Sequence, residues 1–215
     1  MATEQNRPAI APAKRKIGFG LGCLAVIVIA IIILGAWGAG SYNSLVKLDQ
    51  QVRQSWAQVE NVYQRRADLI PNLVETVKGA AEFEKETFTA VAEARAKVGQ
   101  IQVDPQMLSN PEAFAQFQQA QDQLGSALSR LLVTIERYPE LKATQNFRDL
   151  QVQLEGTENR ITTERQRFNE SAQAFNTKRM SFPMVFVAPL FGTRFAEKSY
   201  FKAQAGAETA PKVKF

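Results

Sequence analysis

Residues 17–40 read "IGFGLGCLAVIVIAIIILGAWGAG", an uninterrupted run without a single charge. A helix rises 1.5 Å per residue, so about 20 apolar residues cross the hydrocarbon core of a bilayer, and this run is long enough to span it. Residues 24–34 are almost purely aliphatic, and Trp37 and Tyr42 follow where aromatic side chains favour the lipid–water boundary. The small residues of "GAWGAG" would suit a signal peptidase. Against cleavage, the basic flank lies far from residue 1, and the apolar run exceeds the about 7–15 residues usual in a signal peptide. An anchor is therefore expected. Cys23 precedes the most apolar part and reads as a small buried apolar residue.

The Lys/Arg bias sets the orientation. Arg7, Lys14, Arg15 and Lys16 precede the span, while only Lys47 and Arg53 follow closely. Positive charge favours the cytoplasmic side, so residues 1–16 are expected to form a disordered, basic cytoplasmic tail, with the bulk of the chain outside. The basic character sits at the two ends. Residues 1–16 and 181–215 each carry +3, and the middle is close to neutral. No basic stripe with interleaved aromatics appears, and no nucleic-acid partner is expected.

Composition excludes much chemistry. There is no histidine and one cysteine among the 215 residues. Neither a Ser-His-Asp nor a Cys-His arrangement can form, and histidine-containing zinc and di-iron sites lack their ligands. No cofactor and no metal site are expected.

Beyond residue 42 the pattern is helical. Steps of three and four mark four apolar stripes. They are Leu45, Leu48, Val52, Trp56, Val59, Val62 and Tyr63; Leu73, Val77, Ala81, Phe88, Val91 and Val98; Phe117, Leu124, Leu128, Leu131 and Ile135; and Phe147, Leu150, Leu154, Ile161, Phe168 and Phe175. "SNPEAF" reads as an N-cap followed by Pro at the first helical position, and "RYPE" separates two further runs. These stripes predict an all-α fold: a transmembrane helix (17–40), then an elongated antiparallel up-and-down four-helix bundle (42–180), then an apolar and basic tail (181–215).

The segment "QRRADLIPNLVETVKG" at 64–79 decides the helix count. Arg65, Arg66, Asp68, Pro71 and Asn72 form a candidate structural joint. If the chain reverses there, the arginines close one helix, Asp68 caps the next, and Pro71 lies in a first turn where its missing N–H costs nothing. The alternative is three long helices with the first kinked at Pro71, because the stripe continues nearly in phase through Ile70 and Leu73. The reversal is favoured.

At this point the chain resembles the LemA family. The resemblance rests on "YNSLV", Trp56 ahead of "VENVYQRRADLIPNLVETVKG", "LLVTIERYPELKATQNFRDLQVQLEGTENRI", "RFNESAQAFN", Phe182-Pro183 and "PKVKF", and covers about residues 42–215. It implies a mostly bacterial, single-pass protein of the cytoplasmic membrane, with a cytoplasmic N-terminus and an extracytoplasmic helical bundle. It implies architecture rather than a reaction. One departure is Phe168 and Phe175, where the family commonly has tyrosine.

Glu155, Glu158, Asn159 and Arg160, from "LEGTENR", form a candidate polar network. Arg65, Arg66, Asp68 and Asn72 could join it to stabilise an anionic transition state, but no nucleophile, phosphate loop or ligand set accompanies them. Gly156, mid-helix, points instead to close approach by a neighbouring helix or bulky side chain. Phe182, Phe186, Leu190, Phe191, Lys198 and Lys202 form a candidate interaction surface. The apolar "SFPMVFVAPLFG" within it is too short and too broken to span a bilayer. It is open to three fates: packing on the bundle, pairing with a partner, or lying against anionic lipid.

The expected function is therefore a non-enzymatic, membrane-anchored scaffold or adaptor. It would contact lipid through its one transmembrane helix and bind other membrane or envelope proteins. Self-association is a further expectation, helped by Gly35, Gly38 and Gly40 in the span. An oligomeric membrane-organising protein and a hydrolase using Asp68 or Glu158 are the alternatives.

Overall fold

The structure, a computed structural model, describes residues 17–78 and 85–203. The basic tail at 1–16, Ala81 of the second stripe, the side chain of Cys23 and the closing "PKVKF" lie outside the described residues. The chain divides into two compact units, residues 1–44 and 45–215.

In the first unit, residues 24–34 are helical, with the bulky aliphatic side chains from Leu24 to Leu34 exposed. A helix satisfies its own backbone, so an apolar surface of this kind suits lipid rather than water. The helix is long and apolar enough to cross a membrane.

The described residues of the second unit are helical apart from the connections and residues 196–203. Helix α1 runs Ile17–Lys78, α2 Lys85–Gln100, α3 Pro111–Ile135, α4 Pro139–Lys142, α5 Gln145–Met180 and α6 Met184–Val187. Two 3₁₀ segments, Met107–Ser109 and Ala188–Phe195, complete the set. The expected start of α3 is borne out: Asn110 accepts from the N–H groups of Glu112 and Ala113 at 3.1 and 3.2 Å, with Pro111 next to it. Thr144 caps α5 in the same way through Phe147 N–H at 3.4 Å.

Pairings across the unit fix the topology. Trp56 meets Phe114 and Phe117 of α3, and also Phe168 of α5. Leu69, Ile70, Leu73 and Val77, further along α1, share a core cluster with Leu124–Ile135 side chains of α3 and with Phe147 and Leu154 of α5. Helices α1 and α3 therefore run parallel, and α5 runs against both. Val91 and Ala94 place α2 against the same cluster. The bundle has an aromatic end around Trp56 and an aliphatic end around Leu73 and Leu131.

The favoured reversal at Pro71 does not occur. Helix α1 continues through Pro71 to Lys78, and Leu73 and Val77 belong to it rather than to α2. Asp68 caps nothing, and Arg65 and Arg66 are not at a helix end. The reason is phase. Tyr63, Arg66, Ile70, Leu73 and Val77 are all buried, while Pro71 is exposed, where water can take up the carbonyl freed four residues earlier. An interior proline costs about 3 kcal/mol, and burying each of Ile70, Leu73 and Val77 returns about 1.5–3 kcal/mol. Among the described residues four long helices, α1, α2, α3 and α5, still build the unit, because α1 ends only at Lys78 and α2 begins at Lys85. Helix α2 is correspondingly shorter than its stripe suggested.

Candidate functional site

A layer of polar side chains separates the aromatic and aliphatic ends of the bundle. Arg66 lies at its centre and is only 2% exposed. Its Nη1 donates to Glu158 Oε2 at 3.1 Å, and its Nη2 donates to the Gln121 carbonyl at 3.2 Å and to Gln121 Oε1. The guanidinium carbon stands 5.1 Å from the Tyr63 ring centroid. Beside it, Arg165 donates through Nε to Tyr63 Oη at 2.6 Å and through Nη2 to Asp122 Oδ1 at 2.9 Å. Arginine forks suit such a layer because planar donors can be shared between several oxygens.

Burial pushes the Tyr63 phenol above its ordinary value, although the Arg165 charge and hydrogen bond pull the other way. A phenol held neutral is a poor base or nucleophile near pH 7. These bonds join α1, α3 and α5 to one another. Among the described residues, Asp, Glu and Cys side chains nowhere gather in threes as a metal site.

Of the predicted network only Glu158 reaches this layer. Glu155 accepts from Gln151 on its own helix, while Asn159 and Arg160 are exposed on α5. Arg65, Asp68 and Asn72 are exposed as well. Asp68 accepts from Gln64, and the Asn72 carbonyl accepts from Thr76. The structure does not bring Asp68 and Glu158 into one site: Arg66 alone of the predicted joint meets the predicted network. Gly156 also corrects an expectation. A Cβ there would meet nothing within 4 Å, so no neighbour approaches it. The glycine against a neighbouring side chain is Gly125, whose Cβ would stand 3.6 Å from Arg66 Nη1.

The apolar tail takes the first of its three open fates in part. After α5, residues 181–195 fold into a short protrusion, and residues 196–203 run as an extended strap along α3 and α5. Met184, Ala188, Phe195 and Phe201 are buried. The strap is held through its main chain by three side-chain amides. Asn176 donates to the Lys198 carbonyl and accepts from the Lys198 N–H, at 2.8 and 2.9 Å. Asn169 does the same for Phe201, and Gln118 for Lys202, at 2.8–3.1 Å. Each pairing mimics a rung of a β ladder, as an edge of extended backbone requires. Phe201 closes the aromatic end, stacked 6.1 Å from Trp56 and beneath the Arg165 guanidinium at 4.9 Å.

Lys198 is therefore not a surface residue. It is 4% exposed, 3.0 Å from Asp49 Oδ1 and 3.3 Å from Ser109 Oγ, with Nζ over the Phe175 ring at 5.0 Å. A buried ammonium needs such a partner, because desolvating an unpaired charge costs several kcal/mol. Lys202 remains exposed. Phe182, Phe186 and Leu190 are 73, 70 and 81% exposed, and Phe191 is also exposed.

Sequence reasoning missed the amide clamp and Asp49. A signal was present: "FN" recurs at Phe168-Asn169 and Phe175-Asn176, seven residues apart on one helix face. A polar amide repeating beside a buried aromatic marks the edge of the core, where a backbone can be captured.

The LemA family profile matches residues 55–215, which include the polar layer, the clamp and the strap. The chain belongs to the LemA family. Relatives include magnetosome protein MamQ 1 of Paramagnetospirillum magneticum, 25% identical over 204 residues, 86% of this chain and 74% of that protein. MamQ of Magnetospirillum gryphiswaldense is 25% identical over 202 residues, with the same coverage. Protein LemA of Metamycoplasma hominis is 23% identical over 172 residues, 79% of this chain and 74% of that protein. With its apolar N-terminal helix, this LemA-family chain is a membrane-associated protein.

Proposed function

We propose that this chain is a non-enzymatic scaffold or adaptor of the bacterial envelope, anchored in the cytoplasmic membrane, with its helical bundle outside the cytoplasm. The observation that carries this reading is the use made of the ion pairs between segments. Arg66 pairs with Glu158, Arg165 with Asp122 and Lys198 with Asp49, each joining separate segments of the fold. Charge committed to helix register and strap docking is not poised for a reaction, so the exposed surface carries the function. That surface includes Val133 and Val152 on the helices and the protrusion at 182–191.

A second reading, membrane organisation, draws on the protrusion itself and on the magnetosome relatives. Lys198 no longer supports it as a headgroup ligand.

In-cell photocrosslinking tests the scaffold reading. A photoreactive residue at Val133, Val152 or Phe186 of the full chain should yield adducts with membrane or envelope proteins, identified by mass spectrometry. Absence of protein adducts from all three positions, with the chain present in the membrane fraction, would contradict it.

A further inference from the structure

The protrusion is braced rather than loose. Arg179 Nε donates to the Phe195 carbonyl at 2.7 Å, and Ser181 Oγ donates to the Lys178 carbonyl at 2.8 Å. Met184, Ala188 and Phe195 are buried on its inner side, and the Lys198–Asp49 pair follows at once on its C-terminal side. The outer side carries Phe182, Val185, Phe186, Leu190 and Phe191. An unbraced apolar loop would fold its side chains inward to escape water. This one holds them out against the cost of leaving apolar surface in water.

Two observations identify what covers it. The first is charge. Residues 171–196 contain no Asp or Glu, and their only charges are Lys178, Arg179 and Arg194. Between the exposed Glu170 and Glu197 the segment carries basic charge only, and phenylalanines with basic neighbours match the boundary of an anionic bilayer, where rings enter the acyl region and cations meet headgroups. The second is position within the bundle unit. Lys198 pairs with Asp49, and Ser171 of α5 meets Ser55 at 2.7 Å. The protrusion therefore lies at the end of the bundle where α1 enters, the unit beginning at residue 45. In the sequence only residues 41–44 separate that start from the apolar run, so a bilayer holding the run is tethered to the unit by a short length of chain.

We infer that the outer face of the protrusion, led by Phe182, Phe186, Leu190 and Phe191, inserts into the interface of an anionic lipid surface. This rests on the chain being membrane-associated, and on no particular protein partner.

The test uses the full chain with Cys23→Ser, reconstituted in vesicles of phosphatidylcholine and phosphatidylglycerol without other protein. An environment-sensitive fluorophore is attached at Phe186→Cys or, for comparison, at Val152→Cys. At 186 the emission should shift to the blue and be quenched about twofold or more by lipids bearing a nitroxide on the acyl chain; at 152 it should do neither. Serine at Phe182, Leu190 and Phe191 together should relieve the quenching at 186 while helicity is kept. Solvent-like, unquenched emission at 186 in these vesicles would overturn the inference. So would protection that appears only when native membrane proteins are added, a result that would give this face to a protein and leave the scaffold reading standing. Quenching at 186 without protein adducts in cells would support the inference and remove the scaffold reading instead.

Discussion

Arg66 is held by three oxygens from two helices, while its Nε has no hydrogen-bond partner among the described residues. Its partners differ in exposure: Gln121 is buried and the Glu158 side chain is 56% exposed. Removing the exposed partner therefore costs little, and removing the arginine costs much. Glu158→Gln should lower stability by less than about 1 kcal/mol, because the carboxylate gives up a largely solvated pairing. Arg66→Ala should lower it by about 2–4 kcal/mol, through a cavity and the stranded Gln121 acceptors. Denaturant unfolding of the full chain in detergent, followed by circular dichroism, distinguishes the two. Tyr63 adds a pH dependence. Burial raises its folded-state pKa above that of the unfolded chain, so the neutral phenol is favoured by folding. That contribution is complete below about pH 10 and is lost as pH rises toward the higher folded value. Stability should thus fall more steeply above pH 10 in the native chain than in Tyr63→Phe, as thermal melts across pH 8–11 will show.

Among the elements, α1 is where sequence reasoning chose wrongly, and the reason is physical. Asp68 and Pro71 suit a helix first turn, but they equally suit the solvent face of a continuing helix. Propensity does not separate the two; phase does. Tyr63, Ile70, Leu73 and Val77 fall on one stripe only if the helix runs on. Three of the stripes, the Asn110 cap and the break at "RYPE" were legible because each depends on local spacing, whereas the second stripe ran together residues of α1 and α2. A continuing helix makes a definite prediction. Pro71→Ala restores one backbone hydrogen bond at an exposed site and should raise stability by up to about 3 kcal/mol. In a chain that reversed at residue 71, the same change would be neutral or unfavourable. Equilibrium unfolding of the two proteins decides the matter.

For the whole molecule, the tail is the part least readable from sequence and the part that most shapes the exposed surface. A charge-free stretch followed by lysines gave no sign that Lys198 would be buried while Phe186 stays in the open. That inversion depends on Asp49, far away in sequence, and on amides of two other helices. Long-range capture of an extended backbone leaves almost no periodic trace; only the repeated "FN" on α5 hinted at it. The clamp holds residues 198–202, which follow closely on the protrusion, to α3 and α5. Hydrogen exchange of the full chain, read by mass spectrometry, tests it most directly. The amides of Lys198, Phe201 and Lys202 are bonded to Asn176, Asn169 and Gln118. They should exchange at least about a hundredfold more slowly than an unstructured backbone, and Asn176→Ala should speed exchange at Lys198. Exchange at the unprotected rate across residues 198–202 in the native chain would contradict the account.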